Sequence, residues 1–135
     1  MSPRLGGNGI PELIYYSSGI DLIAMTINYA LGKPCNIPEQ PDSLKPCASL
    51  IFGSDTAGQL SSITAVEELK NTFPELIECR FNYQAGDHVP AFEHSGNSLG
   101  YALFYCPLES DYPSMINRLQ AALQLNIKQN LNPSN

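Results

Sequence analysis

Between Gly32 and Pro46 the chain carries four prolines, Pro34, Pro38, Pro41 and Pro46, set among Asn, Gln, Asp and Ser. Proline fixes φ and removes a backbone donor, so this stretch can join neither a helix interior nor a central strand. It reads as an extended linker with little regular structure. The residues on its two sides differ in kind. The expected organisation is a helical segment over 1–32, a linker over 33–46, a β-rich unit over 47–130 and a polar tail over 131–135. The fold class expected is α+β, with the β part antiparallel and carrying two helices.

The N-terminal segment opens SPRLGGNGIPELI. Pro11 is well placed for a first helical turn. In SSGIDLIAMTINYALGKP, Ser18 and Asp21 have capping-box spacing. Ile20, Ile23, Ile27, Ala30 and Leu31 recur at helical spacing and predict one buried stripe, and Gly32 with Pro34 supplies the stop.

Beyond the linker, ASLIFGS and GQLSSIT have strand length and composition. Thr64 and Glu67 frame a capping box for a short helix that ends before Pro74. LIECRFNY alternates like a half-buried strand, residues 85–87 form a turn, and HVPAF carries Pro90 and so suits an edge. HSGN is a further turn and LGYALFYC a strongly apolar strand. Tyr112, Ile116, Leu119, Leu123 and Ile127 then predict a final helix capped by Ser110 or Asp111.

Composition excludes more than it identifies. A hydrophobic content of 43% over 135 residues is enough for one modest core. A net charge of −6 argues against nucleic acid as a partner, because phosphate backbones demand clustered Lys and Arg. No apolar run reaches bilayer-spanning length, and no basic start precedes an apolar core of secretory type, so a cytoplasmic location and no membrane partner are expected. Cys35, Cys47, Cys79 and Cys106 form no C-x-x-C pair; reduced thiols, not zinc or redox chemistry, are expected.

The residues that could carry chemistry lie at the start. Arg4 is a permanently charged fork that binds carboxylate or phosphate bidentately. Gly6, Gly7 and Gly9 let backbone amides approach a ligand, and a helix beginning near Pro11 offers its positive end. No Lys-Ser or Lys-Thr pair follows, so this is not a P-loop. Asp87, His88, Glu93 and His94 lie around two turns without a common face, and such residues are what turns use. Ser17 and Ser18 lack a nucleophile-elbow context. Tyr15, Tyr16, Tyr101 and Tyr105 read as core or interface aromatics, and Glu67 and Glu68 as helix-start charges.

The stretch SPRLGGNGIPELI followed by SSGIDLIAMTINYALG resembles the C-terminal end of the ATP-grasp fold in carboxylate–amine ligases, notably the L-amino-acid ligase branch. Ser2, Arg4, Gly6, Gly7, Ile10, Pro11, Leu13, Gly19, Asp21, Ala30 and Gly32 fall on that pattern. The later order of TAGQL, a helix with EEL, a strand, AGDHV, SGNSLGYALFY and a terminal helix resembles the rudimentary hybrid motif that closes many of these enzymes. The resemblance implies a parent that activates a carboxylate with ATP and magnesium through an acyl phosphate, which an amine then displaces. It places Arg4 at the position that stabilises phosphate or acyl phosphate, Ser2 at a metal-ligand position, and Gly6 and Gly7 against the bound group.

Two departures stand out. The family's metal-binding Glu would precede Met1, and Ser is a weaker hard-metal ligand than the usual Asn. The resemblance therefore implies a C-terminal fragment or subunit, inactive alone and binding neither ATP nor magnesium by itself, whose partner is the remainder of the ligase. With that partner missing, the Ile20, Ile23 and Ile27 stripe is expected to be partly uncovered and to promote self-association. The reading of a different class is a non-catalytic β-rich module for binding or assembly.

Overall fold

The last strand-forming stretch, Gly100–Tyr105, is apolar at nearly every position and is buried along almost its whole length. Such a strand has to be covered on both faces and paired on both edges. In the computed structural model, which describes residues 5–35 and 44–129, that is its situation. Numbering strands in chain order, β1 (Cys47–Phe52), β5 (Gly100–Tyr105) and β3 (Leu76–Phe81) form an antiparallel sheet with β5 in the centre. A second antiparallel sheet holds β4 (His88–Val89), β2 (Gly58–Ser62) and β6 (Asn126–Lys128), with β2 central. Four helices complete the described residues: α1 (Ile10–Ser18), α2 (Leu22–Ala30), α3 (Val66–Thr72) and α4 (Tyr112–Leu123).

The period of two along β5 separates its neighbours. Ala102 and Phe104 join a core with Leu50 and Phe52 of β1, Leu60 of β2, Leu69 of α3, and Met115, Leu119 and Leu123 of α4. Tyr101 and Leu103 point to the opposite face and are buried too. That second face is where the N-terminal residues lie: α1 packs along β1, and Gly9 rests on the Tyr101 ring. The backbone of Lys45 donates to the Ser17 carbonyl at 2.9 Å, tying the entry of β1 to the end of α1.

The expected α+β class and the antiparallel β part hold, as do the strands over ASLIF, GQLSS, LIECRF and GYALFY. Several local expectations need correction. Ser18 does not cap α2; it belongs to α1, where its hydroxyl donates back to the Ile14 carbonyl at 2.7 Å, and Gly19 in the left-handed region ends that helix. The cap of α2 is Asp21, whose carboxylate accepts from the Ala24 amide at 2.8 Å. Thr64 is likewise not a cap. Its hydroxyl donates to the Ala122 carbonyl at 2.7 Å, joining the start of α3 to the end of α4, and α3 begins after Ala65.

Ile127 is not helical. Gln124 adopts φ 42°, which ends α4, and Ile127 then pairs with Leu60 in β6. A lone Ile four residues past Leu123 fits helix and strand spacing equally, and the strand's three residues are too few to show alternation. Asp111 precedes α4 without a side-chain cap bond to it; its carboxylate accepts from Ser110 instead.

The stripe on α2 is not buried. No residue of α2 is buried, and Ile23, Ile27 and Leu31 are 47%, 55% and 64% exposed. An apolar row left about half exposed or more contributes little to this chain's stability. Leu119→Ala, in the core, is expected to lower unfolding free energy by about 2–5 kcal/mol. Ile27→Ala is expected to stay within about 0.5 kcal/mol; chemical denaturation of both variants checks the contrast.

Candidate functional site

The loop ahead of α1 is built from residues that tolerate positive φ. Gly6 lies at 96°, Asn8 at 55° and Gly9 at 79°. Asn is among the few non-glycine residues that adopt this region without large penalty, because its short side chain bonds locally. Gly6 and Gly7 are exposed, Asn8 is half-buried and Gly9 is buried. The Ile10 amide closes the turn onto the Gly7 carbonyl at 3.3 Å, and the Leu13 amide opens the helix onto the Gly9 carbonyl at 2.8 Å. Among the described residues, the amides of Gly7, Asn8 and Gly9 have no acceptor. Unpaired donors beside a helix start suit an anion. Pro11 removes one donor from the first turn, and Glu12 adds a negative charge there.

The loop is seated on the first sheet. A Cβ at Gly9 would fall 2.6 Å from Tyr101 Cε2 and 2.9 Å from Cδ2, so only glycine lets the backbone lie on that ring. The Tyr101 hydroxyl donates to Glu78 Oε1 at 3.1 Å, and Arg80 Nε donates to the same oxygen at 2.6 Å. These side chains come from adjacent strands, since Arg80 pairs with Tyr101 across β3 and β5. A second tether lies beside it. Buried Ser98 donates to Asn8 Oδ1 at 3.5 Å, and Asn82 Nδ2 donates to the Ser98 carbonyl at 2.9 Å.

The electrostatics follow from this packing. Burial pushes the Tyr101 phenol up to about 12, with the hydrogen bond to Glu78 and that carboxylate's charge adding to it. Arg80 is held protonated beyond its ordinary range by Tyr101, Glu78 and, from α1, Glu12. Glu12 is therefore partly balanced by a guanidinium whose side chain is 60% exposed. Elsewhere, burial pushes the Cys79 thiol up to about 11, which makes it unreactive at neutral pH. All four cysteines are free thiols.

Of the expected site residues, Gly6 and Gly7 sit in the loop as described, whereas Ser2 and Arg4 lie outside the described residues. Among the described residues no three of His, Cys, Asp and Glu come close enough to hold a metal. Asp87 and His94 serve their turns, accepting from the Gln84 and Gly96 amides at 2.8 and 3.1 Å. The seat itself, made by Asn8, Glu78, Arg80, Asn82, Ser98 and Tyr101, is not apparent from residue spacing. The alternation in GYALFY does separate Tyr101 from Ala102 and Phe104, which is the one sequence signal for it.

No family model matches the chain. It is 24% identical over 127 residues to the uncharacterized protein y4rH of Sinorhizobium fredii, a match that covers 94% of this chain and 26% of y4rH. Among solved structures, an L-amino acid ligase from Bacillus licheniformis superposes with a TM-score of 0.75 and 17% identity over 93% of this chain. A phosphoribosylglycinamide synthetase from Anaerococcus prevotii superposes with a TM-score of 0.69 and 18% identity over 91% of it. The chain spans about a quarter of y4rH and 31% of each of the two enzymes. Both enzymes are ATP-grasp ligases, so the fold the N-terminal motif implied is the fold this chain has.

Two measurements check the seat. Gly9→Ala combines left-handed φ with a clash against Tyr101, and is expected to cost about 2–5 kcal/mol. Gly19→Ala, with similar φ but nothing near the added Cβ, is expected to cost about 1 kcal/mol. The second measurement concerns pH. Because folding raises the Tyr101 pKa from the ordinary 10 to about 12, the folded state holds that proton more tightly than the unfolded state does. The stability gained is full below pH 10 and is lost as the pH rises to about 12. NMR titration of the Tyr101 ring should show the high midpoint, and Glu78→Gln should lower it.

Proposed function

We propose that this chain is the C-terminal part of an ATP-dependent, magnesium-requiring ATP-grasp ligase that activates a carboxylate as an acyl phosphate and passes it to an amine. The observation that carries the reading is the shared fold over 91–93% of this chain with two ligases. It is joined to a glycine loop at a helix start, whose Gly7, Asn8 and Gly9 amides have no acceptor among the described residues. ATP would supply the phosphoryl group, and magnesium would neutralise charge on the phosphates.

The described residues fit part of this centre and not all of it. The loop amides of Gly7, Asn8 and Gly9 suit a phosphate or carboxylate oxygen. A cation cradle is not found among the described residues, so Ser2 could contribute at most one magnesium ligand and the carboxylates would come from the remainder of the ligase. Arg4 is assigned the bidentate clamp on the transferred group, where a fixed cation stabilises developing charge without reorganising.

The exposed row of Ile23, Ile27 and Leu31 supports a missing partner. The remainder of the ligase, whether on the same polypeptide or separately encoded, is assigned to that face; without it the chain is expected to self-associate. An assignment to the cytoplasm accords with an enzyme that consumes ATP, and no described helix is long and apolar enough to cross a membrane.

The decisive assay measures magnesium-dependent phosphate release with and without the remaining ligase portion. The 135-residue chain alone is expected to be inactive, and the reconstituted enzyme active. Arg4→Ala in the reconstituted enzyme is expected to lower kcat by about 10²–10³-fold. Turnover by the chain alone would overturn the reading. Failure of any ATP-grasp partner to restore activity, with the chain remaining a clean monomer, would favour the non-catalytic module.

A further inference from the structure

The loop and the sheet that seats it belong to different stretches of the chain, and the contacts between them are specific. The Gly9 backbone lies on the Tyr101 ring closely enough that no Cβ fits. The ring cannot swing freely, because its hydroxyl is bonded to Glu78, which is itself paired with Arg80. Tyr101 is 7% exposed, so the ring is also packed by its own strand's surroundings. Ninety residues apart in sequence, Asn8 and Ser98 form the second tether. Ser98 is in turn bonded by Asn82, from the residues just after β3.

From this we infer that Tyr101, braced by Glu78, is a positioning residue that fixes the glycine loop in its left-handed conformation and so preorganises its amides for an anion. The small β-rich unit thereby contributes to the loop's geometry while supplying no group that touches the ligand. The inference rests on the anion-binding reading of the loop given above. Its physical basis is preorganisation: a three-glycine loop loses much backbone freedom when it orders, and a plate that orders it beforehand removes that cost from binding.

The test uses the full 135-residue chain, isotope-labelled, with inorganic phosphate as the probe. In the unaltered chain the Gly9 Hα resonances are expected to be shifted upfield by the Tyr101 ring current. The amide–Hα couplings of Asn8 are expected to report positive φ. Phosphate is expected to move the amide resonances of Gly7, Asn8 and Gly9. Tyr101→Leu should erase the ring-current shift, average the couplings and weaken phosphate binding about tenfold or more. Tyr101→Phe, which keeps the plate but loses the hydroxyl's bond to Glu78, should weaken phosphate binding by less than Tyr101→Leu does.

Resonances of Leu60 and Leu119 in the far core report whether a variant is folded. If Tyr101→Leu is not, Tyr101→Val, which suits the strand and likewise removes the ring, replaces it; the same averaging of the Asn8 couplings is then expected. Positive-φ couplings and full phosphate affinity retained in folded Tyr101→Leu would overturn the proposal, as would absence of the Gly9 ring-current shift in the unaltered chain. A different result, no phosphate response in an unaltered chain whose loop is ordered, would overturn the anion reading. The ring-current and coupling data would then decide by themselves whether Tyr101 sets the loop.

Discussion

A strand that is apolar on both faces forces the rest of this molecule into place around it. β5 offers Ala102 and Phe104 to one side and Tyr101 and Leu103 to the other. Burying either set alone would leave the other in water, at a cost of roughly 25 cal/mol for each Å² of apolar surface. The first side is satisfied by α3, α4 and the second sheet. The other needs the N-terminal residues, and this need brings a loop from the start of the chain across onto a sheet made from residues 47–105. The covered strand is thus the physical reason that the glycine loop has a fixed seat.

The seat has a chemical character of its own. Most of the contact is the face of a tyrosine against a glycine backbone, which demands shape but places no charge at the loop. The charges stand one step behind: Glu78 takes two hydrogen bonds, from Tyr101 and Arg80, and Arg80 offsets Glu12 on α1. An acidic chain can in this way keep a glycine loop without surrounding it by uncompensated carboxylates. The phenol's raised pKa is a consequence of the same packing.

Much of the fold was legible because its signals are local. Alternation marks β3, the apolar run marks β5, and Pro11 marks the start of α1. The capping assignments failed for a physical reason: Ser18 and Thr64 each had a competing backbone carbonyl, Ile14 in one case and Ala122 in the other. A hydroxyl's choice among acceptors is tertiary information. β6 was invisible because its pairing with β2 spans more than sixty residues, so nothing near Ile127 announces it. For the site, Gly6 and Gly7 could be named from their type and neighbours. Tyr101 and Asn8 could not, since each matters only through the other end of the chain.

The exposure of α2 and the seating of the loop beside it bear on each other. Two adjoining segments of one N-terminal region behave oppositely: Asn8 and Gly9 are held by Ser98 and Tyr101, whereas Ile23, Ile27 and Leu31 are largely exposed. A helix that served only this chain's stability would turn that row inward, toward β1, as α1 does. Its outward row instead accords with the proposed reading, in which further protein would cover it while the chain's own sheet holds the loop. The glycine loop lies at the junction of those two dependencies. On the proposed reading, its geometry would be fixed from the sheet side before the rest of a ligase meets it, and a binding loop assembled from two portions would require that ordering.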